Sequence, residues 1–153
     1  GNHILGGSGL VSLISQEVRE KRGLSYSAYS NFVPMRRDGP YTLGLQTRND
    51  QRDDAVTVLR NTLKKFRDQG PTEKELEAAK NNIIGGFPLR VASNSKISEY
   101  LAMIGFYDLP LDYLDRFAER VQAVTAKQIH NAYQRRVHPD RMVTVIVGSS
   151  GEN

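Results

Sequence analysis

Val18-Arg19-Glu20-Lys21-Arg22-Gly23-Leu24-Ser25-Tyr26 follows a glycine-rich opening, Asn2-His3-Ile4-Leu5-Gly6-Gly7-Ser8-Gly9. Leu10, Leu13, Ile14 and Val18 recur at helical spacing, and Val11 widens the apolar stripe. The pattern predicts a helix from about Gly9 to Arg22, capped by Ser8 and closed by Gly23 in a left-handed conformation. Asn2 to Leu5 reads as the end of a preceding helix. Beyond Gly23, Leu24, Tyr26 and Ala28 alternate with Ser25, Ser27 and Tyr29, which is the period of a strand. The helix-to-strand turn thus sets an arginine and a tyrosine seven residues apart, where both can point into one cleft.

Working outward, Pro34 to Pro40 contains Arg36-Arg37-Asp38-Gly39, a turn signal, and Tyr41, Leu43, Leu45 and Thr47 alternate again. Leu24–Val33 and Tyr41–Arg48 are therefore expected to form an antiparallel hairpin. Ala55, Val58, Leu59, Thr62, Leu63 and Phe66 make a helical stripe stopped at Gly70-Pro71. Thr72 and Glu75 form a capping box for a helix bearing Leu76, Ala79, Ile83 and Ile84, weakened at Gly85-Gly86 and Pro88. Ile97, Leu101 and Ile104 mark another helix. Leu114, Phe117 and Val121 mark one opened by Pro110, and Thr125 with Gln128 repeats the capping box before Ile129, Ala132 and Tyr133. Met142 to Val147, apolar and rich in valine, reads as a buried closing strand. The order predicts an α+β fold, an antiparallel or mixed sheet with several helices packed on one face.

Composition narrows the chemistry. The 153 residues are 39% hydrophobic and 25% charged, the balance of a globular chain rather than a disordered one. The net charge of +4 permits an acidic partner without requiring one. Its basic pairs, Lys21-Arg22, Arg36-Arg37, Lys64-Lys65 and Arg135-Arg136, are scattered among acidic residues, which favours solvated surface over a nucleic-acid footprint. No run approaches the roughly 20 apolar residues of a membrane helix. The absence of cysteine excludes disulfides and thiolate metal sites.

His3, His130 and His138 show neither i+4 pairing nor a His-x-x-Glu-His pattern, so no metal site is expected. Gly6-Gly7-Ser8-Gly9 lacks the spacing of a nucleophile elbow and the lysine of a phosphate loop, and reads best as a tight inter-element turn. Arg19 and Tyr26 remain. A guanidinium offers a fixed fork of N–H donors and a phenol one directed O–H, a pair suited to gripping a polarised carbonyl. The plainer alternative is a helix-end cation beside a strand aromatic half-buried against the core.

The opening Asn2 to Gly7, followed by Glu17-Val18-Arg19-Glu20-Lys21-Arg22-Gly23-Leu24-Ser25-Tyr26, resembles the pitrilysin, insulinase and mitochondrial processing peptidase family of inverted-motif zinc metallopeptidases. The likeness continues through the hairpin, the Thr72-x-x-Glu75 helix with Ala78-Ala79-Lys80, and Val143–Gly148. It implies one half of a clamshell that closes around a peptide. By resemblance this chain is the half without zinc ligands, with Arg19 and Tyr26 contributed to the site of a zinc-bearing partner half, fused or separate. The cofactor, zinc, would belong to that partner, and this chain would hold none.

The resemblance further implies a single peptidase-like domain over residues 1–148, a polar tail over 149–153, and an upstream strand and helix missing from a truncated fragment, which would then pair with a second copy. It points to the bacterial periplasm or cell envelope, with the mitochondrial matrix as the alternative. Two rival functions stand beside it: an assembly scaffold of the same family with no peptidase role, and a catalytic half whose zinc motif lies outside this sequence. In the second case Glu73, Glu75 or Glu77 would be the nearby candidate ligands.

Overall fold

The computed structural model describes residues 1–148, so the tail expected at 149–153 lies outside the described residues. The chain divides into two compact units. The first comprises Gly1–Pro71 together with the chain from Ala126 onward, and the second is Thr72–Thr125.

The first unit begins with a π-type helical turn, His3–Gly7, laid directly on the hairpin strand β1 (Ala28–Phe32). Asn2 clamps the crossing: its Nδ2 donates to the Ser30 carbonyl at 3.2 Å, and Ser30 Oγ donates to Asn2 Oδ1 at 2.8 Å. A Cβ on Gly6 would stand 2.4 Å from the Ser30 backbone nitrogen, so the approach requires glycine. The glycine cluster is thus the inter-element turn that its spacing suggests.

The helix expected from Gly9 to Arg22 is shorter and composite. Gly9–Val11 is a 3-10 turn, α1 is Leu13–Ser15, and the chain continues as a π-type turn over Gln16–Glu20. Ser12, not Ser8, is the cap, because its backbone is extended and its hydroxyl accepts from the Ser15 N–H at 3.3 Å. Leu5, Ile14 and Val18 are fully buried and anchor this layer.

β1 pairs antiparallel with β2 (Tyr41–Leu45), with Ala28 opposite Leu45 and Phe32 opposite Tyr41. Both strands are shorter than their alternation implies. Leu24–Ser27 is tied to residues 46–47 by one backbone hydrogen bond, Gln46 N–H to the Ser27 carbonyl at 3.3 Å, and by side chains: Thr47 Oγ1 donates to the Leu24 carbonyl at 2.5 Å, and Ser25 Oγ lies 2.5 Å from the Gln46 carbonyl. α2 (Arg52–Gln69) supplies Ala55, Leu63 and Phe66 to the core, and α7 (Ala126–Arg136) adds Ile129 and Tyr133. Arg67 Nε donates to the Val137 carbonyl at 2.9 Å and joins the ends of the two helices.

The largest correction concerns the closing strand. Among the described residues the sheet has only β1 and β2, and Met142–Val147 pairs with neither. Val143, Val145 and Val147 are 88%, 79% and 93% exposed. A run of β-branched residues becomes a strand only when another edge accepts its backbone groups, and none does so here.

Within the second unit, α3 (Glu73–Gly85) starts on the expected capping box. The Thr72 N–H donates to Glu75 Oε2 at 2.7 Å, and the Glu75 N–H donates to Thr72 Oγ1 at 3.2 Å. α4 (Phe87–Arg90) follows the Gly85-Gly86 break, and α5 (Asn94–Phe106) is capped by Ser93. α6 covers only Phe117–Gln122, because residues 111–116 form turns after Pro110. Phe87 stacks on Phe117 at 4.3 Å, and Lys80 Nζ donates to the Gln122 carbonyl at 2.7 Å.

An aromatic cluster in the first unit carries a pH signature. Phe32 stacks on Tyr41 at 4.0 Å, Tyr133 meets Phe66 edge-on at 4.8 Å, and the two tyrosine hydroxyls lie 3.4 Å apart. Burial is the main reason that both phenols are pushed above the ordinary tyrosine range. An acid whose folded pKa is raised stabilises the fold below its unfolded pKa and loses that contribution as pH rises through the folded value. Stability should therefore fall above about pH 10. Melting temperature measured from pH 9 to pH 11 should decline more steeply in the wild type than in a Tyr41→Phe, Tyr133→Phe double variant. Parallel curves would refute the assignment.

Candidate functional site

Glu17 to Tyr26 divides into residues that build the turn and two that the turn presents. Val18 is buried in the core, and its carbonyl accepts the Leu24 N–H at 2.9 Å. Gly23 takes φ +61°, as expected, and its N–H reaches the Arg19 carbonyl at 2.9 Å. Glu17 engages Lys21 at 2.6 Å and Arg22 at 2.6 Å. Hydrogen bonds from Lys21 and then Arg22 hold its carboxyl below the ordinary carboxylate range. Ser25 is buried and binds the Ser27 carbonyl at 2.8 Å as well as that of Gln46.

Arg19 lies in the π-type turn and Tyr26 in the loop before β1, and the structure brings them together. The Arg19 guanidinium carbon stands 4.4 Å from the centre of the Tyr26 ring. Such a stack at an exposed site contributes about 0.5–1 kcal/mol. Tyr26 is 79% exposed, which corrects the plainer expectation of an aromatic half-buried against the core. A guanidinium placed over a ring face spends no N–H donor on a hydrogen bond there. The cleft found beside β2 in the first unit is lined by neither Arg19 nor Tyr26.

Sequence reasoning missed the supporting residues. The Glu17–Lys21 pair was legible from its i,i+4 spacing. The Ser25 and Thr47 clamps had no local signal, since each acts on a carbonyl distant in the chain.

The remaining candidates hold no metal chemistry. Among the described residues no group of three or more His, Cys, Asp or Glu is placed to hold an ion, so these side chains do not fit zinc. Glu75, one of the three carboxylates that a catalytic half would need to draw on, is occupied by the Thr72 cap. His130 Nε2 lies 3.0 Å from the Asp68 carbonyl, which fixes its ring between α7 and the end of α2.

The family model described as the peptidase M16 inactive domain matches residues 1–83, and the chain belongs to that family. A solved structure of a peptidase M16 inactive domain from Pseudomonas fluorescens superposes with a TM-score of 0.85 at 39% identity, over 92% of this chain and 34% of that one. The zinc protease YmxG of Bacillus subtilis, described as uncharacterized, is 30% identical over 98% of this chain and 36% of its own length. A non-peptidase homolog of the same name from Helicobacter pylori is 29% identical over 95% of this chain and 34% of its own. The chain thus spans about a third of the length of these relatives.

Proposed function

We propose that this chain is part of the non-catalytic half of a zinc metalloendopeptidase, which helps enclose and orient a peptide for cleavage by a zinc-bearing partner half. The observation that carries this reading is the division of labour in the Glu17–Tyr26 segment. Glu17, Val18, Gly23 and Ser25 satisfy the turn, whereas Arg19 is half-buried against the ring of the exposed Tyr26. Donors fixed in this way meet a substrate carbonyl without reorganising. The hydrolytic chemistry would reside in the partner half, and this surface would grip the peptide backbone.

The test places a photoreactive benzoylphenylalanine at position 26 in the assembled protein, with the partner half inactivated but able to bind substrate. Under the proposed reading, irradiation attaches a labelled substrate peptide, and excess unlabelled peptide suppresses the attachment. The Helicobacter pylori relative is named a non-peptidase homolog, which favours a second reading, an assembly scaffold with no peptidase role. In that case position 26 would cross-link only to neighbouring protein, and this result would overturn the first reading.

A further inference from the structure

Pro34 to Pro40, the turn that joins β1 to β2, holds the sole place in the sequence where an aspartate or asparagine precedes glycine, Asp38-Gly39. Two features of the fold leave that peptide bond reactive. Gly39 cannot be exchanged, because a Cβ there would collide with the Val33 carbonyl oxygen and crowd Met35 Cγ at 3.2 Å. The position is glycine for want of room, so no side chain shields its nitrogen. Asp38, by contrast, is exposed, and its carboxyl makes no hydrogen bond or ion pair among the described residues. The ladder ends at Phe32 and Tyr41, and beyond it Val33 N–H donates to the Pro40 carbonyl at 3.0 Å. Pro40 has no N–H to give, and the Gly39 N–H reaches no acceptor among the described residues. A carboxyl and an amide nitrogen thus stand on adjacent residues, with neither committed elsewhere.

We propose that Asp38-Gly39 is a self-modifying site, where aspartate converts to isoaspartate without a catalyst. The Gly39 nitrogen attacks Cγ of the Asp38 carboxylic acid. The N–Cγ bond forms, the Cγ–OH bond breaks, and the hydroxyl leaves as water with the amide proton, closing a five-membered succinimide. The tether between the two groups supplies the high effective concentration that ring closure needs. Water then opens the ring at either carbonyl. Attack at Cγ restores aspartate. Attack at the α-carbonyl leaves the chain running through Cβ and Cγ, with the α-carboxylate free. Both steps release or consume only water. The loop gains one backbone carbon, which lifts Gly39 from its fit against Val33. It also gains the carboxylate that an isoaspartyl methyltransferase, a repair enzyme, takes as its substrate.

The test ages the full chain at physiological temperature and neutral pH in water enriched in the heavy oxygen isotope. Each passage through the ring leaves one heavy oxygen at residue 38. Peptide mass spectrometry is expected to find it there and not at Asp53, Asp54 or Asp68, none of which precedes glycine. An isoaspartyl methyltransferase with labelled S-adenosylmethionine should methylate the aged chain and leave the fresh chain untouched. Asp38→Glu, whose ring would need six members and closes far more slowly, should lose both signals. It should melt with the wild type, because residue 38 is exposed and its carboxyl is unpaired among the described residues. The peptide Met-Arg-Arg-Asp-Gly-Pro-Tyr is the unfolded reference, and the folded chain should take up label at a comparable rate. Absence of label at residue 38 of the folded chain would overturn the proposal, and label in the peptide alone would show that the fold holds the two groups apart. Equal labelling of wild type and Asp38→Glu would overturn it as well, since the oxygen would then enter without the ring.

Discussion

Under the proposed function, Arg19→Ala, introduced into the full-length protein with a zinc-bearing partner half, is expected to lower kcat/KM for peptide cleavage by about tenfold or more. The guanidinium is stacked 4.4 Å from the Tyr26 ring centre and makes no contact on which the turn depends, because Glu17, Gly23 and Ser25 hold the turn themselves. The loss should therefore appear in the rate while the melting temperature moves by less than about 1 kcal/mol equivalent, the worth of an exposed cation–π contact. Tyr26→Phe separates the two roles of the tyrosine. It keeps the ring under Arg19 and removes only the hydroxyl, so a comparable fall in kcat/KM identifies that hydroxyl as a donor to substrate. The Arg19→Ala, Tyr26→Phe double variant should lose less than the sum of the two single losses, since the pair acts as one unit. If both single variants cleave at wild-type rates, the assignment of these residues fails and the scaffold reading takes its place.

The second large effect is on stability. Gly6→Ala should cost about 2–3 kcal/mol, the scale of overpacking against atoms that cannot yield. The added methyl would stand 2.4 Å from the Ser30 nitrogen and from Ser30 Oγ, and the strand backbone has nowhere to move while it is paired with β2. In a chain of this size that corresponds to a melting temperature lower by roughly 5–10 °C. Gly105→Ala is the control. It lies in α5 with nothing within 4 Å of the added carbon, and it should be neutral or stabilising by up to about 1 kcal/mol. Thermal unfolding of the two variants decides the matter. If Gly6→Ala melts with the wild type, the glycine cluster is not the packing device that the Asn2–Ser30 clamp implies.

These two sites differ in how they could be read. The Gly6-Gly7 turn is visible as composition, but which glycine is indispensable depends on Ser30, 24 positions away. Arg19 and Tyr26 are visible as a pair suited to binding a carbonyl. Their contact is not, because Arg19 lies in a π-type turn over Gln16–Glu20 that a helical stripe does not distinguish from a regular helix. The stripe itself led to an overlong helix. Leu10 and Val11 satisfy its period, yet both are exposed on a 3-10 turn, and Ser12 restarts the chain as a cap.

The sequence by itself determined the features whose causes are local. The Thr72–Glu75 capping box, the left-handed Gly23, the stop at Gly70-Pro71 and the apolar stripe of α2 all involve residues a few positions apart, and the structure has each of them. The arginine–tyrosine segment, too, was enough to point to the family to which the chain belongs. Only the tertiary structure decided where strands begin and end. Leu24–Ser27 alternates like a strand, but most of it is held by the Val18 carbonyl and by the hydroxyls of Ser25 and Thr47, with a single backbone bond to Gln46. Met142–Val147 has the composition of a strand and remains unpaired. The physical reason is common to both: a helix closes its hydrogen bonds within its own segment, whereas a strand depends on an edge supplied from elsewhere.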